Sequence, residues 1–532
     1  GNTGKSMTET ETQLKPASFT DEAALARLKR RHRAEQRFRA YGLVAIGIAM
    51  AFLVLLVISI GSQAISAFSH HKISFELTLE EEVVAPQGVA AREAIEENVF
   101  GFYKLVREDL ARTFPEAEGS KRLTTQLNGL VTRLAVLPMA RATARNPERI
   151  GETVTYRTAL SDDLDLYLEG AVSDEIRMRS GPVSGVERIG ERQLRLTGDF
   201  AELAERRAQT APEEGADERS VLVRAGTAVM RAETVADTSV SGPLLTGDIA
   251  AFEGQRTNIR LIETLEAERN VTDRQIAWTL ALEEMGRIRQ GINWALLTNS
   301  DSTYPEIAGV VAAIVGSMFT MMITAALAVP VGIAAAIYLE EYAPKNRVTD
   351  MIEVNINNLA AVPSIVFGLL GAAVFLNLLG LPRSAPLVGG LVLGVLTLPT
   401  VIIASRAALR AVPPSVRSAA LGVGASQTQS VFHHVLPLAA PGILTGAIIG
   451  MARALGETAP LLLIGMVAFV AEVPSGPGDE STALPVLIYK WSTGAERAWE
   501  PNTAAAIVVL LLFMVLMNAM AVFLRRRFER RW

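Results

Sequence analysis

Long uncharged apolar stretches are spaced unevenly along the chain. Five of them are Leu43–Gly61, Ile307–Leu339, Asn355–Leu381, Ser384–Ser405 and Asn502–Leu524; a sixth, Pro437–Ala471, holds Arg453 and Glu457 within it. Each can cross a hydrocarbon core of about 30 Å, which takes roughly 20 helical residues. The pattern therefore predicts six transmembrane helices. The first run follows some forty residues and is longer than the apolar part of a signal peptide, so it reads as a retained anchor.

Between the first and second spans, from about Ser66 to Thr303, the chain is polar and patterned like a water-soluble module. Alternation over Ile73–Val84 and Gln193–Thr197 predicts strands, and helical spacing marks Ala90–Phe114, Lys121–Ala144 and Asn258–Gln290. Pro212–Asp217 reads as a loop. The expected fold class is an all-α polytopic membrane protein with an α+β domain inserted after its first helix. Its divisions are a basic segment over 1–40, a span over 41–65, the insert over 66–303, a membrane core over 304–524 and a basic tail over 525–532.

Charge sets the orientation. Arg27, Lys29, Arg30, Arg31, Arg33, Arg37 and Arg39 precede the first span, and Arg525, Arg526, Arg527, Arg530 and Arg531 follow the last. Lys and Arg beside span ends mark the cytoplasmic side, so both termini are expected there. Lys345, Arg347, Arg406, Arg410 and Arg417 fall on the same side after alternate crossings, which places the insert outside an inner membrane. The basic blocks serve as topology signals touching anionic lipid, and a net charge of −5 gives no case for nucleic acid. The 532 residues are 49% hydrophobic and 20% charged, as expected of spans beside a soluble module. The absence of cysteine excludes disulfides and thiolate metal sites. His70 and His71 are adjacent, yet no spacing in the insert forms a metal or hydrolase site.

Three segments carry the chemistry. The first is polar, Arg417-Ser418-Ala419-Ala420-Leu421-Gly422-Val423-Gly424, running on to His434-Val435-Leu436-Pro437. Pro413 and Pro414 can open a short helix, Gly424 permits a tight reversal, and Val431, Phe432 and Val435 supply an apolar stripe. Such a helix either docks into a partner's groove or lies on the membrane surface. The second is Arg453-Ala454-Leu455-Gly456-Glu457-Thr458-Ala459-Pro460, whose charges sit four apart. They form either a structural ion pair or an anion site. A guanidinium fork fits a tetrahedral oxyanion, and a carboxylate accepts a hydrogen bond from protonated phosphate while repelling sulfate. The third is Asn357-Asn358-Leu359-Ala360-Ala361-Val362-Pro363-Ser364, read either as a helix break lining a cavity or as a polar helix end at the cytoplasmic surface.

The first segment resembles the EAA loop of ABC importer permeases. Ala419, Ala420, Gly424, Leu436 and Pro437 match its spacing, while Ser418 replaces the usual Glu and His434 the usual Ile. Together the three segments resemble the PstA-type permease subunits of phosphate ABC importers over roughly 307–523. That resemblance implies a type I importer fold of six helices, with residues 413–437 as the coupling loop. It implies a second homologous permease, an ATP-binding subunit dimer and an extracytoplasmic phosphate-binding protein as partners. No cofactor is expected on this chain, ATP and Mg being used by the partner ATPase. Gly4-Lys5-Ser6 ends like a phosphate-binding loop but lacks the upstream glycine and strand, so residues before Met7 read as an appended remnant and no ATPase motif is expected. The insert departs from the family. The remaining alternatives are a permease for molybdate, sulfate or a phosphonate, and a membrane sensor with an outer ligand domain.

Overall fold

The computed structural model describes residues 22–170, 175–209, 219–467 and 469–528. Gly4–Ser6, the Pro212–Asp217 loop, Arg530 and Arg531 lie outside the described residues. The chain forms two compact units, 1–62 and 63–532. The described part of the first is helix, α1, Glu22–Ala67, which runs into the second. Its apolar window is entirely uncovered, with Phe52 70% and Leu55 63% exposed, a surface suited to lipid or to another protein.

The insert is built on strands β1 Ser69–Thr78, β2 Thr153–Ala159, β3 Glu175–Pro182, β4 Gly185–Arg188, β5 Gln193–Thr197, β6 Ser220–Ala225, β7 Ala228–Arg231, β8 Thr234–Ala236, β9 Ser239–Thr246, β10 Arg256–Ile262 and β11 Ile288–Ile292. One antiparallel sheet has the order β11-β1-β2, and the other runs β3-β10-β6-β7-β9-β5-β4 with β8 paired to β9. In β1 the alternation buries Ile73, Phe75 and Leu77, with Ile73 opposite Ile288 on one side and Thr158 on the other. Strand β6 is covered on both faces. Val221 and Val223 enter a small core with Leu194, Leu196 and Phe252, while Leu222 joins a larger core of Phe75, Phe102, Trp278 and Leu280.

The helical expectations for the insert held in part. Ala90–Phe114 becomes Arg92–Glu97 followed by α2, Val99–Thr113, broken where the Asn98 side chain caps the Gly101 N–H at 2.9 Å. Lys121–Ala144 divides into Lys121–Asn128 and Leu137–Arg145, ending at Gly129 and restarting at Pro138. The predicted strand stops at Thr78, because Glu81–Val84 forms a helical turn. A short helix, α3, Asp162–Glu169, follows β2. Asn258–Gln290 is not one helix. Alternation in β10 wins at its start, a capping box between Thr272 and Gln275 opens α4, Asp273–Glu284, and Gly286 at φ 71° closes it.

The membrane core contains α5 Val311–Ile337, α6 Arg347–Ala360, α7 Ser364–Gly371, α8 Pro386–Ala411, α9 Pro414–Gly422, α10 Leu436–Leu455, α11 Ala459–Leu463, α12 Leu484–Ser492 and α13 Trp499–Phe528. Five stretches of continuous helix in the described chain are long and apolar enough to cross a membrane: Leu28–Ala67, Val311–Tyr342, Pro386–Ala411, Gln427–Leu455 and Trp499–Arg527. The third predicted span, Asn355–Leu381, is instead a pair, Arg347–Ala360 and Ser364–Leu378, bent by 100° at Pro363; counted as one span it brings the number to six. Pro437–Ala471 is corrected too, since α10 ends at Leu455 and a break separates it from α11. Arg406 and Arg410 lie on α8 itself and Arg525–Arg527 on α13, so the helices outrun their apolar stretches.

Lipid supplies little drive for helix association, and close approach through small residues takes its place. Gly390 of α8 meets α5, where an added Cβ would lie 2.5 Å from Ile323 Cβ and 2.8 Å from the Thr320 carbonyl oxygen. Gly442, Gly446 and Gly450 of α10 meet Ala408, Ala404 and Thr397 of α8 in the same way. Replacing Gly390 by Val therefore overpacks this contact by about 1–3 kcal/mol and lowers the thermal unfolding midpoint of the purified chain. Gly61→Val on α1, where an added Cβ meets nothing within 4 Å, leaves that midpoint unchanged.

Candidate translocation and coupling site

The charged pair sits where α10 breaks. Gly456 caps the helix, its N–H bonding to the Arg453 carbonyl, and Glu457 follows beyond the cap. The two residues thus share no single helix, yet Arg453 Nε lies 3.6 Å from Glu457 Oε1, the turn holding them together. The Arg453 side chain is 59% exposed and that of Glu457 18%. Oriented backbone carbonyls at the end of α10 favour a cation there, and the open fork of Arg453 remains able to take an oxyanion or a partner's carboxylate. Thr458 donates a 3.5 Å hydrogen bond to the Gly456 carbonyl.

The break after α6 packs beside this one. Gly368 of α7 lies against α11, where an added Cβ would be 2.8 Å from Pro460 Cα. Phe367, Ala454, Leu455 and Leu461 share one core with Val362 packed on it, so the second and third sequence segments meet in space. Ser364 is half-buried at the first position of α7. Asn357 and Asn358 are exposed on the last turn of α6, a helix with no buried residue.

Residues 413–437 have the anticipated helix and reversal. Pro413 and Pro414 open α9, which carries Ser418, Ala419 and Ala420, and Gly424 at φ 91° reverses the chain. A capping box between Ser426 and Gln429 starts the next helix, which passes through His434, Leu436 and Pro437 into α10. Of the apolar stripe, Val431 and Val435 are buried and Phe432 is exposed. Ser418, Ala419 and His434 face outward beside Leu421 and Val423, at 51 and 86% exposure.

Sequence reading missed what anchors this loop. Arg417 makes a paired contact with Glu341, Nη2 at 2.6 Å and Nε at 3.2 Å, and donates to the Val412 and Leu409 carbonyls at the end of α8. Gln427 donates to the Glu341 carbonyl at 2.6 Å, and Arg410 grips Glu340 at 2.8 and 2.9 Å. Arg406 joins Glu340 to Glu353 of α6. The adjacent Glu340 and Glu341 facing several arginines were a visible signal, though their pairing spans 66 to 76 residues.

Residues 328–532 match the family model described as the binding-protein-dependent transport system inner membrane component, and residues 25–178 match a domain of unknown function, DUF3333. The chain is 34% identical over 172 residues to a probable ABC transporter permease protein, YqgI, of Bacillus subtilis, covering 32% of this chain and 58% of that one. It is 33% identical to the phosphate transport system permease protein PstA 1 of Mycobacterium tuberculosis, over 41% of this chain and 70% of the relative. The Mycobacterium leprae protein PstA is 35% identical, again over 41% of this chain and 72% of the relative. Among solved structures, the inward-facing MetNI methionine ABC transporter aligns at 17% identity with a TM-score of 0.33, over 44% of this chain and 97% of that one. Through residues 328–532 and these mycobacterial relatives, the chain belongs to the PstA-type permease family of binding-protein-dependent ABC importers.

Proposed function

We propose that the chain is the transmembrane permease subunit of an ATP-driven, binding-protein-dependent importer of inorganic phosphate. The observation that carries this reading is the Arg453–Glu457 pair, presented on an open helix break in a chain whose relatives are named as phosphate permeases. Arg453 attracts the anion, and Glu457 orients the guanidinium and accepts a hydrogen bond from the P–OH that phosphate carries and sulfate lacks. Thr458, Ser364, Asn357 and Asn358 contribute polar groups to the pathway. The second half of that pathway comes from a homologous permease, and the uncovered faces of α6 and α7 are compatible with such a neighbour.

Both termini lie in the cytoplasm, the bent α6–α7 pair counts as one of six crossings, and the insert stands outside the inner membrane. The exposed face around Ser418 and Ala419, with Ala420 buried behind them and His434, Leu436 and Pro437 at the mouth of α10, seats in a separate ATPase dimer that uses ATP and Mg. The chain itself performs no hydrolysis. An extracytoplasmic phosphate-binding protein delivers the substrate.

Labelled-phosphate uptake into proteoliposomes holding the assembled complex tests these roles. Arg453→Ala, with assembly intact, lowers uptake at least about thirtyfold, as loss of roughly 2 kcal/mol from a charge-assisted contact requires. Uptake at the native level would reduce the pair to a structural one. Glu457→Gln raises the ability of sulfate to compete with phosphate, read from inhibition of the same uptake. Gly424→Val forces a β-branched residue to φ 91°, straining the loop by about 1–3 kcal/mol, so uptake falls while ATP hydrolysis continues.

A further inference from the structure

The turn that leads from the insert into α5 is packed into a seam between insert and membrane core. Glu306 lies in the single turn Pro305–Ile307, is 6% exposed, and accepts a hydrogen bond through Oε1 from Thr132 Oγ1 at 2.5 Å. Its Oε2 has no partner among the described residues. Pro305 O accepts from Asn502 Nδ2 of α13 at 2.8 Å, and Asp301 holds Lys490 and, at 3.2 Å, Trp491 Nε1 of α12. The seam holds a partly open cavity of about 40 Å³ lined by His70, Asp162, Glu169, Glu306 and Asn502. His70 is 6% exposed, and both its ring nitrogens are without partners there.

Unpartnered polar atoms at this depth are costly unless water or a change of protonation relieves them. The facing charges come from every neighbouring element. Strand β1 brings His71 and Lys72, α3 brings Asp163 and Asp165, and the chain before α13 brings Glu496; Arg157 of β2 lies near Lys72, and Glu283 of α4 near His71. Carboxylates outnumber cations. Among the described residues no three His or carboxylate groups converge on a metal position.

We propose that the seam is a proton-operated joint between insert and membrane core, closed while its carboxyls carry protons and His70 is neutral, and opened by ionisation of Glu306, Asp162 and Glu169. Burial pushes Glu306 up to about 7, Asp162 to about 6 with help from Asp163, and Glu169 to about 7 with help from Asp165. A carboxyl held protonated by closure stabilises the joint fully below its ordinary value near 4, and that stability is lost as pH rises through its raised value. His71 acts in the same sense. Its ring lies 2.6 Å from Asp165, and that hydrogen bond raises its pKa, so the pair weakens as pH rises through it. His70, pushed down to about 4 by burial, opposes them, costing stability only as pH falls from its ordinary value near 6.5. With three carboxyls opposed by one imidazole, the joint is tightest below about pH 5 and loosens as pH rises towards about 7. With the insert outside, it reads the external medium, whichever anion the permease carries.

Hydrogen exchange of the full chain in lipid nanodiscs, corrected for the intrinsic pH dependence of exchange, tests this directly. Peptides covering 296–310 and 496–502 are expected to open about tenfold more at pH 8 than at pH 5.5, a one-proton change over one pH unit or more, while peptides from β6 and β10 stay unchanged. Glu306→Gln, which keeps the shape and cannot ionise, shrinks that rise. Thr132→Val removes a hydrogen bond that favours ionised Glu306, and so moves the midpoint of opening to higher pH. Equal opening at both pH values in the native chain, or a rise unaltered by both substitutions, overturns the proposal.

Discussion

At bilayer depth each backbone N–H and C=O must find its partner within the protein, and this requirement shapes the membrane core. It explains why the interruptions at Pro363 and Gly456 lie side by side rather than scattered in lipid. Freed backbone at a lone break would face hydrocarbon. Here the chain after Gly456 turns at once into α11, whose Pro460 rests on Gly368 just after the other break. Only the missing side chain of Gly368 allows that approach. The polar groups of both segments thereby collect at one place, and an exposed guanidinium is sustained beside them.

The insert obeys a different solvent. Its interior strand β6 is buried on both faces between two hydrophobic cores, the arrangement of a water-soluble domain. Such a domain could hang from the membrane core by flexible linkers. Instead it is joined by Asp301 to Lys490 and Trp491, by Asn502 to the Pro305 carbonyl, and by buried Glu306 to Thr132. Gly309 fits only because it lacks a side chain, an added Cβ falling 2.2 Å from the Asn299 carbonyl oxygen. A change in the insert's position is therefore felt at the entry to α5.

Features that depend on neighbours in sequence were readable beforehand. The apolar runs, the Pro-initiated helix α9, the Gly424 reversal, the strand Gln193–Thr197 and a break near Pro363 all follow from local rules. Errors arose where composition and periodicity disagreed. Pro437–Ala471 is apolar throughout, so hydropathy alone continued it past Gly456, although Gly456 and Pro460 together favour a stop and restart. In Asn258–Gln290 a long helical reading absorbed one strand at each end, because β10 and β11 are specified by their pairing with β3, β6 and β1. The Arg417–Glu341 clamp and the Glu306 cavity were illegible for the same reason. Their partners are far apart in sequence, and burial, which gives each its meaning, exists only once the chain has folded.

Two of the three segments that carried the family resemblance lie at opposite ends of one structural member. From Gln427 the helix runs through His434 and Pro437 to Leu455, 29 residues in all, or about 42 Å at 1.5 Å per residue. Gly424 and the Arg417 clamp stand just before its first turn, and Arg453 stands on its last. Gly442, Gly446 and Gly450 press its middle against α8 with almost no space to deform. A displacement imposed at the loop must then pass along the helix largely as a rigid shift or tilt, since bending would break close contacts on α8. The point at which it emerges is the break holding Arg453 and Glu457, where the chain is free to turn. Placing the charged pair at the end of this packed helix thus lets a movement made at the loop change the spacing of Arg453 and Glu457.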